Sequence, residues 1–247
     1  MKETGKHLVT RIDDGKTEEI RESLVTEYEI SIVLGGKTLV HTTCSPSFLK
    51  ELVYGYLVSE GFIRSERDVS SCTVHGNLSE VGLGDKPSPP QQPISPRPIE
   101  SSFTVPVDVL LAAAEECLSR GTTFRETGGT HAAALGDRSG LVSFFEDISR
   151  TCALEKVLGD ALLRSVTLDQ TFVFLSSRVP KRMLQKIARC GIPVVAAVSA
   201  PTLDAVRAAD RLGVCVCGFA RGHRLNVYSH RWRVGVQSKS SSETSKK

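Results

Sequence analysis

The sequence predicts an α/β protein in two parts. A small N-terminal α+β region precedes a larger region built on a largely parallel sheet with helices on both faces. Three observations carry this. Residues Leu24 to Thr43 alternate apolar and polar around Gly35-Gly36, the pattern of a hairpin. The run Pro87-Ser88-Pro89-Pro90-Gln91-Gln92-Pro93-Ile94-Ser95-Pro96-Arg97-Pro98 then breaks the chain, because proline has no N–H to give a helix or central strand. From Val107 onward, short apolar runs alternate with stretches of helical spacing, as in a sheet with crossover helices.

The elements follow in order. Met1 to about Arg21 is polar and is expected to be a disordered tail, residues 1–21. Residues 22–86 form the first region. After the hairpin, Ser45-Pro46 predicts a helix start, with Ser as N-cap and Pro at the first position. Phe48, Leu49, Leu52, Val53, Tyr56 and Leu57 give that helix one apolar face, and Gly61 ends it. Val69 to Val74 reads as a strand carrying Cys72. Residues 87–101 are a proline-rich extended linker and mark the domain boundary.

Residues 102–236 form the second region, with helices expected over Val107–Leu118, Arg150–Leu163, from after Val179-Pro180 to Arg189, and Pro201–Leu212. Strands are expected at Ala132–Leu135, Leu141–Phe145, Phe172–Leu175, Val194–Val198 and Val214–Gly218. Gly191 and Gly213 fit helix C-termini. Residues 237–247 are a polar tail, expected to be disordered.

Composition excludes some classes. The 247 residues carry a net charge of +3, too weak a balance to point to nucleic acid. No apolar run reaches the length of a membrane span. Met1 to Glu19 lacks the apolar core of a signal peptide, so a cytoplasmic location is expected. The seven cysteines are then cytosolic thiols; their number is odd and no Cys-x-x-Cys occurs. Cys215 and Cys217 share one face of an apolar strand and read as buried, inert thiols.

Ligands of such sheets bind at the carboxyl ends of the strands. Three loops qualify: Glu146-Asp147, Ser176-Ser177-Arg178 and Ser199-Ala200-Pro201-Thr202. The last two lead into helix N-termini, where free N–H groups suit anions and where Ser and Thr also serve as plain caps. Arg178, Arg221 and Arg224 add bidentate phosphate donors. His131 follows Gly128-Gly129 where a tight loop enters a strand. Together these point to a phosphate-rich ligand, a nucleotide or a pterin dinucleotide.

The stretch Thr127-Gly128-Gly129-Thr130-His131-Ala132-Ala133-Ala134 resembles a motif of the formate dehydrogenase accessory sulfurtransferases, the FdhD family. So do Ser177-Arg178-Val179, Met183 with Gln185-Lys186, Gly191-Ile192-Pro193-Val194, Val198-Ser199-Ala200-Pro201-Thr202, and Gly218-Phe219-Ala220-Arg221-Gly222 with Asn226-Val227-Tyr228. Leu57-Val58-Ser59-Glu60-Gly61-Phe62-Ile63 is similar to a first-domain segment of that family. The resemblance implies a cytidine-deaminase-like mixed sheet with helices on both faces and a homodimer. It implies a sulfur relay from a cysteine desulfurase to the molybdenum or tungsten bis-pterin guanine dinucleotide of formate dehydrogenase. The segment matching the family's cofactor-binding stretch is Phe219, Ala220, Arg221, Gly222, His223 and Arg224, with Arg178, Ser199 and Thr202 expected nearby. Zinc deaminase chemistry is not implied: it needs His-x-Glu with Cys-x-x-Cys, and His131 precedes two alanines.

Two departures shape the expectations. The family's Cys-x-x-Cys loop, whose first cysteine takes the persulfide, has no counterpart between Cys72 and Pro98. In Glu146-Asp147-Ile148-Ser149-Arg150-Thr151-Cys152, serine, threonine and cysteine stand where the family usually has glycine at 149, histidine at 151 and asparagine at 152. Persulfide transfer needs an accessible thiolate. Cys152, Cys72 and Cys44 are the stand-ins, in that order. The alternative is a module that binds or delivers the cofactor without carrying sulfur.

Overall fold

The computed structural model describes residues 2–84 and 94–235. The tail at 237–247 and most of the proline run lie outside the described residues.

The N-terminal segment is a hairpin, which corrects the expected tail. Strands β1 (Thr4–Asp13) and β2 (Lys16–Val25) pair antiparallel about Asp14-Gly15. Both turn residues have positive φ, 47° and 76°, as a two-residue turn of this hand requires. The Asp-Gly signal was legible in the sequence, but the polar composition around it masked it.

A four-stranded sheet follows, in the order β4-β3-β6-β5, from β3 (Tyr28–Leu34), β4 (Lys37–Cys44), β5 (Val69–His75) and β6 (Leu78–Leu83). Helix α1 (Leu49–Glu60) lies between β4 and β5 in sequence. Its N-cap is Phe48, with φ 56°, and not Ser45. Ser45 is held elsewhere: its N–H donates to Asp147 Oδ2 (3.1 Å), and its hydroxyl accepts from the Ile148 N–H (3.2 Å). A tertiary partner has outbid the local capping signal.

The second region opens with β7 (Val105–Pro106), α2 (Val107–Arg120) and the short α3 (Thr122–Thr127). It continues through β8 (His131–Asp137), β9 (Gly140–Asp147), α4 (Arg150–Leu163), β10 (Phe172–Leu175), α5 (Lys181–Arg189), β11 (Val194–Ala197), α6 (Leu203–Leu212), β12 (Cys215–Arg221), β13 (Arg224–Val227) and β14 (Val234–Gly235). The main sheet has the order β13-β12-β11-β10-β8-β9. Only β10, β11 and β12 run parallel; the other three pairings are antiparallel, so the sheet is mixed rather than largely parallel. The hairpin β8–β9 needs only a tight turn at Asp137–Gly140, whereas a parallel neighbour needs a crossover.

Alternate residues of the strands face two cores. Ala132, Ala134, Phe172, Phe174, Ala196 and Cys217 pack on α2. Ala133, Leu135, Val173, Leu175, Val195 and Val216 pack toward α4, α5 and α6. That second core also contains Ile30, Ile32, Leu52, Val53 and Leu57 from the first region. The two regions therefore share one core, and the proline run separates them in sequence only.

Helices α1 and α4 cross in near contact because each offers a glycine. A Cβ on Gly55 would lie 1.7 Å from Glu155 O, and one on Gly159 would lie 1.8 Å from Glu51 O. Buried charges join the same elements. Lys156 of α4 pairs with Asp147 at 2.7 Å and donates to Ser45 O at 3.2 Å. Lys186 of α5 pairs with Glu60 (2.6 Å) and Glu155 (2.8 Å), linking α1, α4 and α5. None of these lysines was singled out for that role by the sequence, because pattern alone does not tell a buried lysine from a solvated one.

Candidate functional site

Register gathers the predicted residues at one edge of the main sheet. His131 opens β8 opposite Asp147, the last residue of β9. Leu175 ends β10 opposite Ala133, next to Ser176, Ser177 and Arg178. Ser199 follows β11, and Arg221 and Arg224 face each other across the β12–β13 turn at Gly222-His223. The expected carboxyl edge exists, although β8 and β13 present their amino ends there.

Backbone geometry shapes the right-hand part of this edge. The β12–β13 ladder bulges between Gly218 and Arg221, and Phe219 has φ 53°. A bulge re-aims side chains, and a left-handed phenylalanine stores strain of the kind found at functional sites. Gly218 is needed for close approach: a Cβ would meet Ser199 O and Tyr228 Cε2 at 3.0 Å. Ala220 is buried, whereas Arg221, Gly222, His223 and Arg224 are exposed. Arg178 is exposed too. Arg150, Arg178, Arg221 and Arg224 have no ion pair or side-chain hydrogen bond among the described residues.

The small hydroxyls divide. Thr202 is a plain N-cap, accepting the Ala205 N–H at 3.2 Å. Ser176 accepts the Ala132 N–H at 2.8 Å and ties the β10 exit to β8. Ser199 is half-buried beside Gly218, its carbonyl forming the close approach.

On the left, Glu146 is a clamp that sequence reasoning placed only as part of a loop. Its carboxylate accepts from Thr123 N (3.0 Å), Phe124 N (2.8 Å) and Thr130 Oγ1 (2.8 Å). It thus fixes α3 and the residue before His131. Asp147 is not free for a ligand, being fully buried on Lys156. His131 is half-buried, and burial first, then the charge of Arg150, hold its pKa below the ordinary 6.5.

The thiols are placed unlike the expectation. Cys152 is 1 % exposed, and its Sγ lies 3.7 Å from both Thr42 Oγ1 and Thr43 O. Burial, then Glu155 and Asp147, push its pKa up to about 11. Cys44 is fully buried and pushed up to about 12, mainly by burial. Neither is an accessible thiolate. Cys72 is half-buried on the edge strand β5, with its pKa raised by burial and opposed by Ser79 and Lys50. Cys215 and Cys217 are fully buried with sulfurs 3.9 Å apart, as the strand reading requires.

A cavity of about 640 Å³ lies at the opposite, amino edge, among Arg64, Ile94, Arg97, Arg189 and Cys190. It contains none of the predicted site residues. The claim of the carboxyl edge to be the site rests on its aligned charge. No group of metal-ligating side chains occurs among the described residues, and none of their helices is long and apolar enough to cross a membrane.

Comparison with known proteins agrees with the motifs. The model of the FdhD/NarQ family matches residues 25–93 and 80–235. The sulfur carrier protein FdhD of Methanothermobacter thermautotrophicus is 33 % identical over 91 % of this chain and 96 % of its own length. That of Bacillus subtilis is 32 % identical over 92 % of this chain and 95 % of its own. A crystal structure from Desulfotalea psychrophila, described as a formate dehydrogenase accessory protein, shares the fold. Its TM-score is 0.86 at 22 % identity, covering 95 % of this chain and 100 % of the other. With a family match that spans both regions and relatives above 30 % identity over nine-tenths of its length, the chain belongs to the FdhD/NarQ family.

Proposed function

We propose that the chain is an accessory protein of formate dehydrogenase that holds the molybdenum or tungsten bis-pterin guanine dinucleotide as its substrate along the carboxyl edge. The observation that carries this is the row Arg178, Arg221 and Arg224, which have no counter-ion among the described residues, along the edge that holds the bulge at Phe219. Guanidinium forks suit phosphate oxygens, and an unpaired cluster of them attracts a polyanion. His223 and Gly222 complete the turn, and Ser199 lies across from Gly218.

The curated relatives are named sulfur carrier proteins, which supports a reading in which this chain carries sulfur, with a cysteine desulfurase as its proposed donor. In its first step a carrier thiolate attacks the outer sulfur of the desulfurase persulfide. A new S–S bond forms, the old one breaks, and the desulfurase cysteine leaves as thiolate, with no net oxidation. Cys72 is the thiol whose exposure fits this step best. The second reading, a cofactor-binding module without sulfur transfer, is favoured by the burial of Cys44 and Cys152 and by the missing Cys-x-x-Cys.

Mass spectrometry after incubation with a cysteine desulfurase and cysteine decides between them. A gain of one sulfur atom that Cys72→Ser abolishes supports the relay. No gain on the unmodified chain, with guanine nucleotide still bound, leaves the binding module.

A further inference from the structure

Resting on that reading, we propose that Arg150 and His131 form a second anion-binding pole, at the far end of the carboxyl edge from Arg221 and Arg224, so that one elongated ligand with anionic groups at both ends spans the two. The sheet order fixes the distance. Strands β8 and β12 are separated by β10 and β11, three strand spacings in all. At about 4.8 Å each, the poles lie about 14 Å apart. Arg178 and Ser199, at the exits of β10 and β11, lie along the line between them.

Arg150 is the half-buried first residue of α4, three positions after Asp147, which faces His131 across the β8–β9 ladder. The neighbouring carboxylates are taken. Asp147 is fully buried against Lys156, and Glu146 accepts from Thr123, Phe124 and Thr130. Arg150 therefore has no counter-ion among the described residues. A guanidinium without a carboxylate partner keeps its fork of N–H donors available to an anionic ligand. The Glu146 clamp on Thr130 adds preorganisation, because it fixes the backbone that carries His131.

This arrangement discriminates between ligands. A nucleoside diphosphate carries its charge at one end and engages the Arg221–Arg224 pole alone. In the bis-pterin cofactor each dinucleotide arm carries its pyrophosphate at one end and meets the shared anionic metal–dithiolene head at the other, so one arm carries charge at both ends. Arg150 and His131 hold the head, and Arg221 and Arg224 hold the phosphates.

Anaerobic calorimetry tests this with two probes, guanosine diphosphate and the pterin guanine dinucleotide cofactor extracted from a formate dehydrogenase. Thermal melting of each variant verifies the fold. Arg150→Ala is expected to weaken the cofactor by about ten- to a hundredfold, the range of a lost charged hydrogen bond, and to leave guanosine diphosphate unchanged. Arg150→Lys, which keeps the charge without the fork, recovers part of the loss. Arg221→Ala weakens both probes. Unchanged cofactor binding in Arg150→Ala, or equal loss of both probes in it, overturns the two-pole site. If the unmodified chain binds neither probe, the pterin-nucleotide reading itself fails and the second pole goes with it.

Discussion

At the scale of residues, the motif letters were legible and their environments were not. Arg178, Arg221 and Arg224 were readable as a set of exposed cations, and the structure places them exposed along one sheet edge. Cys152 stands first among the thiol candidates of the sequence, but it is sealed under β4 by Thr42 and Thr43. Burial depends on residues about 110 positions away, which a local pattern cannot carry. Two titrations follow. His131 has its folded pKa lowered, so its neutral form is favoured in the fold. Its contribution to stability is complete above 6.5 and is lost as pH falls through the folded value. Nuclear magnetic resonance of the ring is expected to give a midpoint below 6.5, and Arg150→Ala is expected to raise it. For Cys152 the sign is opposite. Its protonated form is favoured, so its contribution is complete below the ordinary 9.0 and is lost as pH rises toward about 11. Urea midpoints are expected to fall across that window, and less steeply in Cys152→Ala.

At the scale of elements, several limits were legible: the helix Arg150–Leu163 and the strand Phe172–Leu175 fall where the spacing put them. The misses have physical causes. The start of α1 slipped from Ser45 to Leu49 because Asp147 holds Ser45. The amphipathic pattern of α1 and α4 says which residues are apolar, but not that Gly55 and Gly159 let the two backbones touch. Gly159→Ala is expected to cost about 3 kcal/mol or more, since its Cβ has only the Glu51 carbonyl to push against. Chemical denaturation measures it, and an unchanged midpoint would mean that the crossing is looser than described. Lys156→Met is expected to cost about 3–5 kcal/mol by leaving Asp147 buried without a counter-charge. The double change Lys156→Met with Asp147→Leu is expected to recover much of that loss, because no charge is then left stranded.

At the scale of the whole molecule, the proline run suggested two independent domains, and the shared core unites them. Ile32, Leu52 and Leu57 lie in the same cluster as Leu154, Val157 and Leu184. Residues 102–236 produced alone are therefore expected to expose the α4 face, bind a hydrophobic dye and unfold without a sharp transition; cooperative unfolding matching the full chain would refute this. The Gly55–Gly159 crossing has a consequence for synthesis on the ribosome. The two glycines are about a hundred residues apart, and at about 5–20 residues per second some 5–20 s pass between their appearances. Through that interval α1 has emerged with its apolar face and no α4 to cover it. The nascent chain is then most exposed to aggregation, and a chaperone that recognises apolar helices has its longest opportunity to act before the second half is made.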